Sequence, residues 1–524
     1  MKFQADETDI RKYVEEGWWE ASKGLADFVQ ENAQRNPSGI AYRTRESQIS
    51  WNEYFQSALR LAQEIRSQTE RGGRILVWLP DCPNVHICYL ACEIAGVVAV
   101  GAGWKAGLQE LKYLSEVTGA SMLLSKLNNP FGKIDDISEH LNLNSLSVED
   151  KFSNQTVNTE GLNLEESIGP SDLWFLNSTS GTTGLPKCVM QTQNRWFYFH
   201  KKAVEFGLLN EKDIWMSVVP APFGFGLWTA HVTPTLLGIP CFLQERFNAL
   251  EAAKEIEKHR VSVLCAVSSQ FVMILDASTN IDLSSLKVIF TGGEAISPSR
   301  AQELEEKSGC RVLNFYGSNE TGTLSGTTVQ DPAAKRYTSA GRIIPEMQVR
   351  LYDPTTGERT ASIGKGQPAC KGPALSLGYW KDDDANNQLM TEDGWFLMGD
   401  LVEIDSQGWL KVTGRVSDII IRGGKNISAV AIEREVELHP KVALVAVVPK
   451  PNKKLGETAA AYVQLHDGQS LSLPELQKFL SEQGVSIEWW PETLNVLESL
   501  PISSGGKVAK GELKELIKSE GRNQ

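Results

Sequence analysis

The stretch LWFLNSTSGTTGLPKC, residues 173–188, predicts the end of a buried strand followed by an anion-binding loop. Its apolar start gives way to a run of small, hydroxyl-bearing and glycine residues. Small residues let the backbone approach an anion closely, and the free N–H groups and hydroxyls can donate to phosphate oxygens. Lys187 adds a positive charge. A solvated surface loop is the alternative, but it does not account for so many donors.

This loop differs from a Walker A motif, which has a glycine before its lysine and a serine or threonine after it. Pro186 and Cys188 occupy those two positions here. The following CVMQTQ also alternates like a strand, whereas a Walker A loop leads into a helix. We therefore expect a phosphate loop between two strands.

Residues 249–317 alternate between helix and strand patterns. ALEAAKEIEKHR has helical spacing, while VSVLCAV and LKVIF are apolar runs of strand length. SPSRAQELEEKSG predicts a helix with Ser297 as its N-cap, Pro298 in its first turn and Gly309 at its end. This order predicts a mainly parallel sheet flanked by helices, with ligands beyond the carboxyl ends of its strands.

The sequence pattern changes after about residue 340, where QVRLYDPTTGER and VEIDSQGWLKVTGR predict hairpins. From Val416 onwards the order is strand, helix, two strands, helix and a lysine-rich tail. We expect an α/β protein whose large N-terminal domain, residues 1–415, has mainly parallel sheets flanked by helices and a small β-rich subdomain. A small, mobile α+β domain would follow over residues 416–524.

Composition excludes several classes of protein. The 524 residues carry a net charge of −13 without a basic block, which argues against nucleic acid as a partner. No apolar run approaches the roughly 18 residues of a membrane span, and the start lacks a signal-peptide pattern, so a cytoplasmic enzyme is expected. Cys88 and Cys92 lie beside His86, but the apolar surroundings favour buried helical thiols over a metal site.

STSGTTGLPK resembles the phosphate-binding signature of the adenylate-forming superfamily: acyl-CoA synthetases, aryl-acid ligases, peptide-synthetase adenylation domains and luciferases. Other segments are similar to the superfamily's motifs and follow in its order: YGSNETG, Gly399–Asp400 with Gly414–Arg415, IIIRGGKNIS and LPISSGGKVAKGEL. The resemblance covers about residues 20–515. It implies that a carboxylate attacks the α-phosphate of ATP, with Mg²⁺, to give an acyl-adenylate and pyrophosphate. The thiol of coenzyme A then displaces AMP.

The resemblance also implies roles for individual residues. Glu320 would hold Mg²⁺, Lys187 would contact the phosphates, and Lys507 would bridge the substrate carboxylate and the ATP phosphate. The implied ATP/AMP contacts are Thr179, Ser180, Gly181, Thr182, Thr183 and Gly184 in the loop, Gly292, Gly293, Glu294, Tyr316, Gly317 and Asn319 around the adenine and α-phosphate, and Asp400 and Arg415 at the ribose.

Lys507 lies far from Lys187 in the chain, so the small domain would have to close over the large one. The resemblance implies that this domain rotates about Ser417 for the second half-reaction. The rotation would bring the coenzyme A loop, Arg422, Gly423, Gly424 and Lys425, to the site. Its glycines would let the pantetheine arm pass close to the backbone.

Three positions depart from the usual superfamily pattern. Asn319 stands where most members have threonine, Ser417 where aspartate or lysine is usual, and Cys188 where glycine is common. An asparagine amide can still donate to the α-phosphate, and rotation needs backbone freedom rather than a charged hinge. None of the three removes a group that the reaction requires.

The resemblance places the acyl pocket around PAPFGFGLWTAH, residues 220–231, with Phe223, Phe225, Gly226 and Trp228. Such an apolar pocket suits an aryl, alicyclic or short-to-medium acyl acid. The alternative is that these aromatic residues belong to the core. The segment also lacks the aspartate with which amino-acid-activating members hold the α-ammonium group.

Three functional alternatives stay open at this stage. Free coenzyme A is the favoured acceptor because no carrier domain is fused after the tail, with a separate acyl carrier protein as the alternative. A non-catalytic nucleotide-binding regulator is an alternative of another class. The residues that argue against it are Lys187, Glu320, Asp400, Arg415 and Lys507. The expected partners are a small carboxylic acid, ATP and coenzyme A, without nucleic acid or a membrane span, in a monomer or homodimer.

Overall fold

The structure, a computed structural model, describes residues 5–149, 162, 164–178, 187–293, 296–423, 425–501 and 508–522. These residues form two compact units, the first made of residues up to 178, 187–348 and 370–396. The second unit is made of residues 349–369 and from 397 onwards. The predicted boundary after Arg415 lies inside the second unit; it concerns which residues rotate together and stays a prediction.

The first unit contains a nine-stranded sheet whose central pairs are parallel and whose two edges are antiparallel. In spatial order its strands are Arg342–Ile343, Gly322–Gly326, Arg311–Ser318, Val288–Gly292, Val263–Cys265, Trp215–Ser217, Cys241–Leu243, Ile40–Arg43 and Gln48–Ser50.

A six-stranded sheet lies in the same unit and is parallel except at the edge formed by its last strand in sequence. Its strands in spatial order are Cys188–Gln191, Phe175–Ser178, Val98–Ala102, Arg74–Trp78, Met122–Ser125 and Asn144–Ser147. Asn128–Asn129 and Gly132–Lys133 form a separate small hairpin.

Helices connect these strands, as expected for parallel pairs, which need crossover connections. They are Glu7–Glu15, Leu25–Arg35, Trp51–Gln68, Pro83–Ile94, Leu108–Thr118, Ile134–Leu141, Gln193–Gly207, Gly224–Gly226, Thr233–Leu237, Ala249–His259, Ser268–Ala277, Pro298–Ser308, Ala333–Thr338 and Asp383–Gln388, with a 3₁₀ turn at Leu164–Glu166 and a π-helical turn at Leu227–Val232.

The second unit contains two five-stranded sheets. The first has the order Gln348–Tyr352, Gly364–Lys371, Asp400–Ile404 and Leu410–Arg415, with Phe396–Leu397 paired to the second of these strands. The other has the order Lys425–Ser428, Ile419–Arg422, Gly456–Leu465 and Val442–Asn452, with Thr493–Leu497 paired to the third. The helices are Ala429–Glu437, Leu473–Glu482 and Lys510–Arg522, with 3₁₀ turns at Val416–Asp418 and Ile487–Trp489.

The predicted α/β class, with mainly parallel sheets in the large N-terminal part and a smaller α+β part after it, is confirmed. The helix predicted from Ser297 to Gly309 runs over Pro298–Ser308 with Gly309 in the left-handed conformation, although the Ser297 side chain makes no capping bond. Cys88 and Cys92 are fully buried on the helix Pro83–Ile94, as predicted.

One hairpin prediction needed correction. Strand Asp400–Ile404 pairs with Leu410–Arg415 as expected. The strand at Gln348–Tyr352 instead takes Gly364–Lys371 as its ladder partner and closes its own turn through a single bridge to Arg359. The Asp353 side chain accepts from the N–H groups two and three residues ahead and holds this turn, while the partner strand comes later in the chain.

Candidate functional site

Two of the predicted catalytic residues meet at Tyr379, which the sequence analysis did not single out. The Tyr379 hydroxyl donates to Oε1 of Glu320 over 2.7 Å. Nζ of Lys187 lies 4.9 Å from the centroid of the same ring, which is a cation–π contact. The tyrosine therefore contacts both the predicted metal ligand and the predicted phosphate-loop lysine.

The backbone around Tyr379 is fastened on both sides. Its N–H donates to Oδ1 of Asn386 over 2.7 Å, and Nδ2 of Asn386 donates back to the Tyr379 carbonyl over 2.8 Å. The next N–H, that of Trp380, donates to the carbonyl of Cys188 over 2.8 Å. The ring is thus anchored to the strand that follows Lys187.

Glu320 lies in a tight turn between two antiparallel strands of the nine-stranded sheet. Oγ of Ser318 accepts from the N–H of Glu320 over 3.2 Å. A Cβ added to Gly317 would lie 1.7 Å from the carbonyl oxygen of Gly322, so this crossing requires glycine. The Ser376 N–H donates to the Glu320 carbonyl over 2.8 Å and ties the turn to the chain that carries Tyr379.

The predicted phosphate loop joins two neighbouring strands of the six-stranded sheet. Phe175–Ser178 and Cys188–Gln191 pair antiparallel, with Cys188 opposite Ser178, and the second of them is the strand that the alternating pattern after the loop predicted. Thr179–Gly184 lie outside the described residues, and Lys187 directly precedes the second strand. Cys188 is buried within this ladder, which gives the unusual residue a structural place.

A buried polar network adjoins the Glu320 turn. Nε2 of Gln191 donates to Oδ1 of Asn177 over 2.8 Å, and Nδ2 of Asn177 donates to Oδ1 of Asn319 over 3.2 Å. Nη1 of Arg195 donates to Oε1 of Gln191. Burial lowers the pKa of the Arg195 guanidinium to about 9, while the charge of Glu320 acts in the opposite direction. Asn319 is thus held by a network that sequence reasoning missed, although polar residues within apolar strands could have indicated it.

The glycines and tyrosine predicted at the adenine lie on neighbouring strands. Gly292 ends one strand, and the next strand places Phe315 beside it and Tyr316 one residue further. A Cβ on Gly292 would lie 2.7 Å from the Phe315 carbonyl oxygen, and Gly293 has a φ of +77°. Both positions therefore favour glycine. Glu294 lies outside the described residues.

The four residues predicted for the acyl pocket differ in burial: Phe223 and Phe225 are partly exposed, whereas Gly226 and Trp228 are buried. Trp228 is fully buried and stacks on Phe199 with centroids 4.2 Å apart, as the core alternative expects. Phe223 and Phe225 are half-buried, and Phe225 stacks on Trp228 at 5.6 Å. A Cβ on Gly226 would lie 2.0 Å from a backbone carbonyl, so this position requires glycine.

In the second unit, Asp400 and Arg415 lie directly opposite each other in an antiparallel ladder. Nε of Arg415 is 3.3 Å from Oδ1 of Asp400. The pairing explains how residues in two separate motifs meet. The two residues predicted to contact the ribose thus lie side by side on neighbouring strands of this unit.

Ser417 lies in the 3₁₀ turn Val416–Asp418, and the next residue in this turn, Asp418, is buried. Lys510 places Nζ 3.3 Å from Oδ2 of Asp418 and 2.7 Å from Oε1 of Glu433. Lys514 donates to the Ser417 carbonyl over 3.1 Å. The last helix therefore fastens the predicted hinge; Lys507 itself lies outside the described residues.

The described residues of the predicted coenzyme A loop form ion pairs within the second unit. Nε of Arg422 lies 2.6 Å from Oε1 of Glu492, and Lys425 pairs with Glu488. Gly423 has a φ of +58°, which favours glycine. Gly424 lies outside the described residues.

Two protein families match the sequence. Residues 29–380 match the family described as AMP-binding enzyme, and residues 431–507 match the AMP-binding enzyme C-terminal domain. The first match alone spans more than half of the chain.

The chain belongs to the AMP-binding enzymes.

This membership confirms the superfamily predicted from the motifs, that of the adenylate-forming ligases.

Curated relatives span almost the whole of this AMP-binding enzyme. The medium-chain fatty-acid–CoA ligase of Escherichia coli (strain K12) is 29% identical over 525 aligned residues, covering 95% of this chain and 91% of the relative. The vibriobactin-specific 2,3-dihydroxybenzoate-AMP ligase of Vibrio cholerae is 27% identical, covering 96% and 95%. The relatives therefore include both acid–CoA ligases and aryl-acid AMP ligases.

Among solved structures, the AMP-binding enzyme is similar to o-succinylbenzoate CoA synthetase from Bacillus subtilis. The complex of that protein with its acyl-adenylate intermediate superposes with a TM-score of 0.80 at 25% identity, covering 93% of this chain and 97% of the other. Its complex with ATP and a magnesium ion gives a TM-score of 0.81 at 25% identity, covering 93% and 99%. Across the described part of the chain, no helix is both long and apolar enough to cross a membrane.

Proposed function

We propose that this enzyme activates a carboxylic acid with ATP and transfers the acyl group to the thiol of coenzyme A. The observation that carries the proposal is the meeting of Lys187 and Glu320 at Tyr379, beside the ends of the phosphate loop. A cation and a carboxylate at this position are what the polyphosphate of ATP and its magnesium ion require.

The chemistry brings two anions together, so positioning and charge neutralisation do most of the catalytic work. The acid's carboxylate attacks the α-phosphorus of ATP, the bond to the β-phosphate oxygen breaks, and pyrophosphate leaves. Loop residues Thr179–Gly184 and Lys187 hold the phosphates, and Asn319 faces the α-phosphate. Lys507 bridges the two reacting anions. The thiol sulfur of coenzyme A then attacks the acyl carbonyl, and AMP leaves.

Glu320 is suited to be a single carboxylate ligand of magnesium. Its carboxylate is only partly buried, and Oε1 accepts from a tyrosine, which leaves further lone pairs for a cation. Magnesium is bound by one or two carboxylates together with substrate phosphates rather than by an all-protein cage. When bound, the ion neutralises charge on the phosphates.

The other nucleotide contacts follow the same assignment. Tyr316 and Gly317, with Gly292, Gly293 and Glu294, form the adenine side, and Asp400 accepts from the ribose hydroxyls with help from Arg415. Between the half-reactions, residues 416–524 rotate about Ser417 and bring the loop Arg422–Lys425 to the site. The paired strands that hold Asp400 opposite Arg415 support this assignment.

The acid is an aryl, alicyclic or short-to-medium acyl acid. The half-buried Phe223 and Phe225 support an apolar pocket, with Gly226 close against backbone and Trp228 behind Phe225. The relatives that act on a medium-chain fatty acid and on 2,3-dihydroxybenzoate support the same range.

A panel of aryl, alicyclic and aliphatic acids tests the proposal by acid-dependent exchange of labelled pyrophosphate into ATP. Glu320→Gln is the matched control, since it keeps the side chain's size and removes its charge. Exchange with at least one acid, strongly reduced in this variant, is expected. Absence of exchange across the panel would favour a non-catalytic nucleotide-binding protein.

An acyl carrier protein is the second candidate for the acceptor, and the similarity to an aryl-acid AMP ligase favours it. The same panel is therefore run with coenzyme A, and consumption of its thiol is followed. Pyrophosphate exchange without thiol consumption would favour an acyl carrier protein as the acceptor in the second half-reaction.

A further inference from the structure

We propose that Tyr379 is a positioning residue that orients the Glu320 carboxylate for magnesium and steadies Lys187 for the phosphates of ATP. The inference rests on the proposed function, in which Glu320 is the magnesium ligand. It adds a residue that controls how the ion and the nucleotide are bound together.

The hydrogen bond between the two side chains runs from Tyr379 to Glu320. The phenolic O–H donates to Oε1 of Glu320 over 2.7 Å, a distance typical of a strong bond to a charged acceptor. A carboxylate held through one oxygen has fewer orientations open to it, and its other lone pairs stay available to the ion. Partners that hydrogen-bond a metal ligand in this way typically contribute a factor of about 10–100 to metal affinity.

The tyrosine itself is rigidly held. Its ring is mostly buried, and its backbone exchanges two hydrogen bonds with the Asn386 side chain. The turn that carries Glu320 is bonded through its carbonyl to the N–H of Ser376, three residues before Tyr379. Both ends of the Tyr379–Glu320 bond are therefore anchored by the same short segment.

The ring of Tyr379 contacts two side chains of opposite charge. The face of Tyr379 lies 4.9 Å from Nζ of Lys187, while its hydroxyl reaches Glu320. The hydroxyl and the face can be removed separately, because phenylalanine keeps the face and leucine removes both. The two contacts therefore predict two different defects.

The experiment measures binding of ATP by isothermal titration calorimetry, without any acid, in excess Mg²⁺ and in EDTA. Tyr379→Phe should bind ATP in EDTA within about twofold of the wild type, but about tenfold or more weakly in Mg²⁺. Tyr379→Leu should also lose affinity in EDTA, because Lys187 no longer has the ring beneath it. Tyr89→Phe is the matched control: Tyr89 is buried, and its hydroxyl has no hydrogen-bond partner among the described residues.

Each outcome supports or overturns the inference. Suppose that the wild type binds ATP more tightly in Mg²⁺ than in EDTA, and that Tyr379→Phe has the same ATP affinities as the wild type and Tyr89→Phe. The positioning role is then contradicted, while the proposed function stands. If wild-type protein binds ATP no better with Mg²⁺ than in EDTA, the magnesium role of Glu320 and the positioning role fail together. Thermal melting of each variant shows whether the protein is folded, so that a binding defect is not mistaken for unfolding.

Discussion

Oδ1 of Asn319 accepts a hydrogen bond from Nδ2 of Asn177 over 3.2 Å, and the same oxygen lies where a side chain at Gly224 would have to go. A Cβ on Gly224 would be 2.0 Å from it. The asparagine that departs from the superfamily's threonine therefore depends on a glycine in the predicted acyl-pocket stretch.

We predict that Gly224→Ala and Asn319→Thr are coupled. Gly224→Ala alone displaces the Asn319 amide and breaks its bond to Asn177, whereas the shorter threonine leaves room for the methyl group. The coupling free energy should be about 1 kcal/mol or more, within the range known for residues in contact. Urea unfolding of the wild type, both single variants and the double variant measures it. Additive effects, within about 0.5 kcal/mol, would contradict the contact.

The sequence allowed the main architecture of the first unit to be predicted. Helix and strand periods over residues 249–317 were sufficient because each element there buries a regular face. Pro298 and Gly309 marked one helix at both ends because their backbone preferences are local. The phosphate-loop motif is also local in the sequence, but its contacts stay a prediction, since Thr179–Gly184 lie outside the described residues.

The contacts of Tyr379 could not be predicted in the same way. It meets Glu320 across 59 residues, and the contact depends on tertiary hydrogen bonds that leave no periodic signal. Arg195 is a similar case: arginine side chains usually lie at the surface, yet this one is fully buried and bonded to Gln191. The partner strand of Gln348–Tyr352 was missed because the nearest turn looked like a complete hairpin.

The buried carboxylate next to the predicted hinge gives a second prediction. Asp418→Asn removes the negative charge that faces Lys510 and Lys514, and among the described residues Lys510 then keeps Glu433 as its acidic partner. Loss of one member of a buried charged cluster should lower the free energy of unfolding by about 3 kcal/mol. Urea unfolding followed by tryptophan fluorescence measures the change, with Asp467→Asn at an exposed loop as control. An equal stability of both variants would show that the cluster is not stabilising.

Two histidines buried against each other give a pH-dependent prediction. Nδ1 of His86 lies 3.2 Å from Nδ1 of His231, and Trp174 stacks on His231 with ring centroids 5.8 Å apart. Burial lowers the pKa of His231 to about 3. Burial, followed by the neighbouring His231, also places the pKa of His86 well below its ordinary value.

The unfolded chain takes up these protons near pH 6.5, whereas the folded chain keeps both rings neutral. Stability is therefore complete above about pH 6.5 and falls as the pH drops towards 3. His231→Phe should reduce that loss by up to ~1.4 kcal/mol per pH unit. Urea midpoints between pH 7 and 5 measure the slope. The exposed His140→Asn is the control, and a slope in His231→Phe as steep as the wild type's would contradict the prediction.

The last prediction concerns the two half-reactions of the proposed enzyme. Lys507→Ala should slow acid-dependent pyrophosphate exchange by about 100-fold or more, since one group that stabilises developing charge is lost. The same variant should form thioester from a supplied acyl-adenylate and coenzyme A at nearly the wild-type rate, because in the proposed mechanism Lys507 has left the site before that step. Lys478→Ala, at a side chain 77% exposed in the same unit, is the matched control and should retain both activities. Equal losses in both half-reactions would contradict rotation about Ser417, because they would mean that one arrangement of the small domain serves both steps.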